Sequence, residues 1–135
     1  MLSDSRENRS SLVVVQAALE VHKTLGGPGL LETVYEEALV FELRLRGRSV
    51  ERQVSVPLRY KGHLLASTLR LDLVVDECLI VECKAASKNN PVFAAQALTY
   101  LRLTSMRLAL VINFGQTLLK HGTERVINSR GTTQL

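Results

Sequence analysis

The feature that most constrains this chain is a change of hydrophobic period. As far as Arg46 apolar residues recur at helical spacing, whereas from Ser49 onward Val50, Val54, Val56 and Leu58 alternate with polar residues. A period near 3.6 suits a helix with one apolar stripe and a period of 2 suits a half-buried strand. Neither pattern serves the other element. Further on, Leu108-Ala109-Leu110-Val111-Ile112 is apolar without alternation, as a strand covered on both faces must be. Helices first, alternating strands next and a doubly covered strand later require a layered α/β structure with the sheet between helices.

The elements can be placed. The pattern predicts a first helix from Ser10 or Ser11, with Leu12, Val15, Leu19, His22 and Leu25 on one face, stopped by Gly26-Gly27-Pro28-Gly29. A second helix is expected from about Leu30 to Arg46, with Leu31, Val34, Tyr35, Ala38, Leu39 and Leu43 inward. Three strands of antiparallel type follow at 49–60, 64–75 and 78–84, with turns at Lys61-Gly62 and Asp76-Glu77. Asn89 or Asn90 caps a third helix with Pro91 in its first turn, ending near Leu103. Residues 107–114 form the central strand, reached by a right-handed crossover. Leu118-Leu119 and Val126-Ile127 are short apolar pairs, either of which can supply an edge strand. Residues 1–10 read as a frayed segment, 11–128 as one domain and 129–135 as a tail.

Composition narrows the function classes. With 135 residues there is room for one core, and 46% apolar with 22% charged residues excludes a disordered or fibrous chain. No apolar run approaches the ~18 residues that span a bilayer, and the polar start of the chain has no signal-peptide core. No membrane partner is expected, and the expected location is cytoplasmic. Cys78 and Cys83 lie in one expected strand on opposite faces, so they read as free, core-filling thiols. The net charge of +4 tolerates a polyanion without requiring one.

The chemistry-bearing residues sit in the strands. In Ile80-Val81-Glu82-Cys83-Lys84, a carboxylate and an ammonium two residues apart leave one face of a strand, at the end of an apolar run where burial is costly. Upstream, Leu71-Asp72-Leu73 places a second acid inside an apolar strand. Two acids brought together repel unless a cation lies between them, and oxygen ligands suit a hard ion such as Mg2+ or Mn2+. Lys84 could then neutralise charge at an attacked phosphate or orient a water. The alternative is an ion pair between Lys84 and one acid, with the other acid facing solvent. A plain two-residue turn at Asp76-Glu77 would pair Asp72 with Val81 and send Glu82 to the other face; a three-residue turn or a bulge near Asp72 would bring the acids together.

Other polar groups carry weaker signals. Gln96 and Tyr100 are spaced i, i+4 on the third helix and could hydrogen-bond to Lys84, to a metal-bound water or to a phosphate. Glu32, in the first turn of the second helix, answers the helix dipole. Glu36 and Glu37 read as a solvated face, His22 as a satisfied structural histidine, and His63 and His121 as turn residues with no partner spacing.

Gly29-x-x-Glu32-x-x-Tyr35 resembles the signature of the GxxExxY protein family. The likeness continues through Val21-His22, Leu25-Gly26, Glu36-Glu37-Ala38-Leu39, Tyr60-Lys61-Gly62, Leu71-Asp72-Leu73, the run from Ala95 to Leu101 and Ile112-Asn113-Phe114. That family is similar to the PD-(D/E)xK nuclease superfamily, and its Gln-x-x-x-Tyr helix resembles that of RecB-like exonucleases. The resemblance implies a restriction-endonuclease-like αβββαβ core. It implies that Asp72 is the motif aspartate, Glu82 and Lys84 the ExK pair, Gln96 and Tyr100 the helix motif and Glu32 an extra acid near the metal. Leu71 stands where the name motif has proline.

The expected function is Mg2+- or Mn2+-dependent phosphodiester hydrolysis of nucleic acid, with DNA ranked ahead of RNA. Asp72 and Glu82 would hold the metal with the main-chain carbonyl of Cys83, Glu32 would complete the shell, and Lys84, Gln96 and Tyr100 would serve catalysis. The rival readings are a non-catalytic nucleic-acid or protein-binding module that retains the fold, and an accessory subunit active only within an oligomer. Aromatic content of 4% leaves few stacking platforms for single strands. The small core leaves room for a homodimer built on an exposed face of the first or second helix.

Overall fold

The computed structural model describes residues 5–129. The first four residues, and all of the expected tail beyond Ser129, lie outside them. Helix α1 (Arg6–Thr24) begins inside the segment expected to fray, because the Ser5 hydroxyl accepts a 3.0 Å hydrogen bond from the Asn8 amide and caps it. Its buried stripe is Val14, Ala17, Ala18 and Val21; of the expected face, Leu12, Leu19 and Leu25 are exposed, while Val15 is partly buried and His22 is buried. Both stripes have helical spacing. The small residues win because they let the helix lie close against the sheet. Helix α2 (Glu32–Leu45) buries Tyr35, Leu39, Val40 and Leu43, whereas Leu31, expected inward, is 74% exposed just ahead of its first turn.

The strands are β1 (Val50–Tyr60), β2 (His63–Val75), β3 (Leu79–Lys84), β4 (Leu108–Asn113) and β5 (Thr123–Ile127), and α3 (Pro91–Thr104) connects β3 to β4. They form one sheet in the order β1-β2-β3-β4-β5, antiparallel except for the parallel β3–β4 pair. Asn90 caps α3 through a 3.0 Å bond from the Val92 amide, with Pro91 at its start. All six residues of β4 are buried, as its unbroken apolar run requires. Of the two apolar pairs after β4, Val126-Ile127 supplies the edge strand, while Leu119 opens a short 3-10 turn.

Two cores flank the sheet. α1 and α2 pack with Val50, Leu73, Val75, Leu79, Val81, Cys83, Leu110 and Ile112 on one side. α3 packs with Leu69, Leu71, Val74, Ile80, Ala109 and Val111 on the other. Along β2, Leu73 belongs to the first core and Leu71 to the second, although alternation would keep them on one face. The switch falls at Asp72. Its neighbour across the ladder is Gln53, between the pairs Arg52↔Leu73 and Val54↔Leu71, and Gln53 has a left-handed φ of +55°. Both strands change face there, and the acid sits at the change.

The β2–β3 connection settles the register. Val75 pairs with Leu79, so the turn has three residues, Asp76, Glu77 and Cys78, and Cys78 is not in the strand. Asp76 and Glu77 both take positive φ, +53° and +59°, which is uncommon for residues with a side chain. Asp76 holds the shape. Its carboxylate accepts from Ser10 Oγ at 2.6 Å, from Arg48 Nη2 at 2.6 Å and from the Ser49 amide at 3.2 Å. This register brings Asp72 opposite Glu82, one step beyond the last ladder pair Leu73↔Val81. Cys78 and Cys83 are free thiols, Cys83 fully buried.

Candidate metal centre

At Asp72 and Glu82 the β2–β3 ladder gives way to side-chain bonds. The Asp72 amide donates to Glu82 Oε2 at 3.0 Å, and the Cys83 amide donates to Asp72 Oδ2 at 2.9 Å. Each carboxylate satisfies an amide of the opposite strand, so the strands part and the acids face each other between them. Glu82 is 4% exposed. Burial first, and the Asp72 charge second, push its carboxyl up to about 8. Burial likewise raises Asp72 above the ordinary range; the Cys83 amide opposes that shift and Glu36 adds to it.

Lys84 leaves β3 on the same face as Glu82. Its Nζ donates to Gln96 Oε1 at 3.3 Å and lies 5.1 Å from the Phe93 ring centre, and among the described residues it forms no ion pair with either acid. The expected alternative, a direct Lys84–carboxylate pair, is therefore not what forms. Tyr100, one turn after Gln96, is partly buried. Its phenol is raised first by burial and then by the charges of Glu82 and Asp72.

Glu32 is exposed at the start of α2 and its carboxylate makes no hydrogen bond among the described residues; partial burial of its carboxyl and the Asp72 charge raise it, and Lys84 opposes them. It stands in electrostatic range of the pair without touching it. The loop that delivers it is locked by Tyr35. That hydroxyl donates to the Gly27 carbonyl at 2.7 Å and accepts from the Leu30 amide at 3.1 Å, while its ring stacks on Phe114 at 4.8 Å. Gly29 sits within this loop at φ +117°, a conformation that residues with a Cβ avoid. The Gly29, Glu32 and Tyr35 spacing thus has a physical content: a turn, a presented acid and the clamp on both.

Glu36 corrects the sequence reading. Expected on a solvated face, it is 3% exposed. Its carboxylate accepts from Arg52 Nε at 2.6 Å and from Gln53 Nε2 at 2.9 Å. Gln53 stands opposite Asp72 across the ladder and its side chain favours the Asp72 charge, and the Glu36 charge is felt by Asp72, Glu82 and Glu32. A signal for it existed. Arg52 occupies the β1 position between Val50 and Val54 where alternation calls for an apolar residue, so it needed a buried acidic partner. Glu37 is exposed as expected. His22 is buried, as a structural histidine, and among the described residues its Nε2 has no hydrogen-bond partner.

Asn113, at the end of β4, was also missed. Its Oδ1 accepts from the amides of Ala86 and Gly115 at 2.9 and 3.0 Å, and its Nδ2 donates to Asn89 Oδ1 at 3.0 Å. The Phe114 amide donates to the Lys84 carbonyl at 2.8 Å. A Cβ on Gly115 would collide with the Ala86 carbonyl oxygen, so glycine is needed for this approach. The chain leaving Lys84 is in this way fixed to β4, and the start of α3 with it.

Among the described residues no three His, Cys, Asp or Glu side chains are grouped closely enough to hold an ion. The donor set is nonetheless the right kind for a hard cation. Mg2+ takes one or two carboxylates and keeps several waters, and two facing carboxylates whose protonation is favoured by crowding offer such a place. None of the described helices is long and apolar enough to cross a membrane. No curated protein and no solved structure matches the chain. The family model described as the PD-(D/E)XK nuclease superfamily matches residues 8–126, from the first turn of α1 into β5. The mixed five-stranded sheet flanked by helices is restriction-endonuclease-like, and the chain belongs to the PD-(D/E)XK nuclease superfamily.

Proposed function

We propose that this protein is a nucleic-acid hydrolase that cleaves phosphodiester bonds with Asp72, Glu82 and Lys84 and a divalent cation, Mg2+ or Mn2+. Membership of a nuclease superfamily supports the nuclease-type activity and a nucleic-acid substrate. The observation that carries the rest is the apposition of buried Glu82 and half-buried Asp72 across β2 and β3, with a lysine on the same face that forms no ion pair with either among the described residues. The GxxExxY assignment within the superfamily, DNA ahead of RNA as substrate, residues 11–128 as the working domain and a cytoplasmic setting for the free thiols belong to the same proposal.

Asp72 and Glu82 would hold the cation, with the main-chain carbonyl of Cys83 as a further oxygen ligand and Glu32 completing the shell. When bound, the ion supplies Lewis-acid stabilisation of charge developing on the phosphate. Lys84 positions the attacking water and meets that charge with its ammonium. Gln96 steadies Lys84 through its carboxamide oxygen, and Tyr100 orients the substrate backbone. Glu36, through Gln53, is a positioning residue for Asp72.

One observation favours the rival reading of a binding module: no third acidic or imidazole side chain joins Asp72 and Glu82 among the described residues. A digestion panel of single- and double-stranded DNA and RNA, in Mg2+, Mn2+ or chelator, separates the two. Metal-dependent cleavage by the wild type and its loss in Asp72→Asn support the nuclease. Binding with no cleavage of any form, in either metal, supports the module.

A further inference from the structure

Residues 52–71 contain Arg52, Arg59, Lys61 and Arg70 and no Asp or Glu. Arg52 is committed to Glu36. The other three form no ion pair among the described residues: Arg59 donates to the Gly62 carbonyl at 3.3 Å, and Lys61 lies 5.5 Å from the centre of the Tyr60 ring. The segment also has a distinct shape. The β2–β3 ladder ends at Leu73↔Val81, and beyond it β1 and β2 pair only with each other. Every residue from 61 to 68 is exposed. The result is a two-stranded ribbon whose root is Asp72. From Asp72 to Gly62 it runs ten residues, which at ~3.3 Å each is roughly 33 Å. That length is about one turn of duplex DNA.

The edge of this ribbon is poorly made for pairing with another strand. β1 is the outer strand of the sheet, yet it carries Pro57, the left-handed Gln53 and a register shift between Pro57 and Arg59. Proline, irregularity and charge along an edge are the features that keep a second strand away. A second copy adding its own strand is therefore disfavoured, and the unpaired cations call for an anionic partner instead. With aromatic content of 4% there is little to stack unpaired bases on, whereas a two-stranded ribbon fits the major groove of a duplex.

We propose that the β1–β2 ribbon is an arm that lies along a nucleic-acid duplex, with Arg59, Lys61 and Arg70 on its phosphates. The arm holds the duplex in register with Asp72 and Glu82 at the ribbon's root. This rests on the nuclease reading above and names the surface and the form of its substrate.

Binding of the full chain to a labelled 24-base-pair DNA duplex, followed by fluorescence anisotropy from 50 to 200 mM salt, tests it. Ca2+ replaces Mg2+, and a gel verifies that the duplex stays intact. Replacing Arg59, Lys61 and Arg70 by Gln together should lower the slope of log affinity against log salt by about 2 to 3, since each phosphate contact contributes roughly 0.9. Removing three exposed charges elsewhere, with Arg46→Gln, Arg107→Gln and Lys120→Gln, should change it by less than about one. Melting curves verify that both variants fold, and Lys61→Glu alone should weaken binding if the triple variant does not fold. An unchanged slope in the ribbon variant, an equal drop in the control or a loss confined to single strands overturns the arm. Duplex cleavage by the ribbon variant at the wild-type rate sinks the arm alone; wild-type protein that neither binds nor cleaves any nucleic acid sinks the nuclease reading with it.

Discussion

Glu82 shows how one residue stores the conflict that a cation would resolve. Its carboxyl is raised from 4.5 to about 8 because charging it means burying a charge beside Asp72. The folded state thus holds its proton more tightly than the unfolded chain. That contribution to stability is fully present below about pH 4.5 and is lost as pH rises through about 8. Asp72 is raised by burial first and by the Glu36 charge, and acts in the same direction. Urea titrations in chelator should therefore show this pair eroding stability between pH 5 and 8.5, and Asp72→Asn should flatten the profile. A profile equally steep in the variant would place the effect elsewhere. At this scale Asp72, Glu82 and Lys84 were legible because charged residues in apolar strands are costly to bury and so draw notice. Glu36 was not, because one acid beside another on a helix looks solvated until its partners Arg52 and Gln53 arrive from a distant strand.

The turn between β2 and β3 is the element on which the site depends. Asp76 and Glu77 take positive φ without help from glycine, so turn length could not be read from residue type alone. What fixes it is tertiary: Ser10 from α1 and Arg48 from the segment before β1 both converge on Asp76. Asp76→Ala removes the acceptor for Ser10, Arg48 and the Ser49 amide, and should destabilise the protein by about 1–3 kcal/mol in equilibrium unfolding. Deleting Cys78 is the sharper change. It would leave a two-residue turn that still pairs Val75 with Leu79 and sets Asp72 opposite Glu82, so metal binding should be retained where the chain folds. Loss of metal binding in a folded deletion variant would mean that the three-residue turn itself, and not the register, makes the site. The α1 stripe was misjudged for a related reason: leucine is the louder apolar signal, but alanine is what a closely packed helix needs.

Over the whole molecule, the order of helices and strands and the doubly covered β4 were readable because period and run length depend on local sequence. The face switch at Gln53 and Asp72 was not, since it exists only once β1, β2 and the two cores meet. It is also what allows acids from β2 and β3 to meet near Glu32 and Glu36 of α2 and opposite Gln96 and Tyr100 of α3. A cation that binds only this assembled state must stabilise all of it. At a hundredfold excess over its dissociation constant the gain is about 2.7 kcal/mol, a rise of several degrees in melting temperature for a domain of this size. Asp72→Asn and Glu82→Gln should each remove that rise, and a wild-type melting curve indifferent to millimolar Mg2+ and Mn2+ would mean that the two acids hold no ion.

Lys84 gives the central claim its most direct test, because lysine is not a metal ligand and so separates chemistry from binding. The measurement is single-turnover cleavage of duplex DNA in Mn2+ by wild type, Lys84→Ala and Lys84→Arg, with calorimetric Mn2+ titration of each. The expected result is a loss of a hundredfold or more in rate for Lys84→Ala with Mn2+ affinity largely retained, as removal of a positioned charge from the transition state requires. Lys84→Arg, which keeps the charge but changes its shape and hydrogen bonding, should fall between the two. Lys84→Ala protein that cleaves at the wild-type rate while holding its metal would contradict the account.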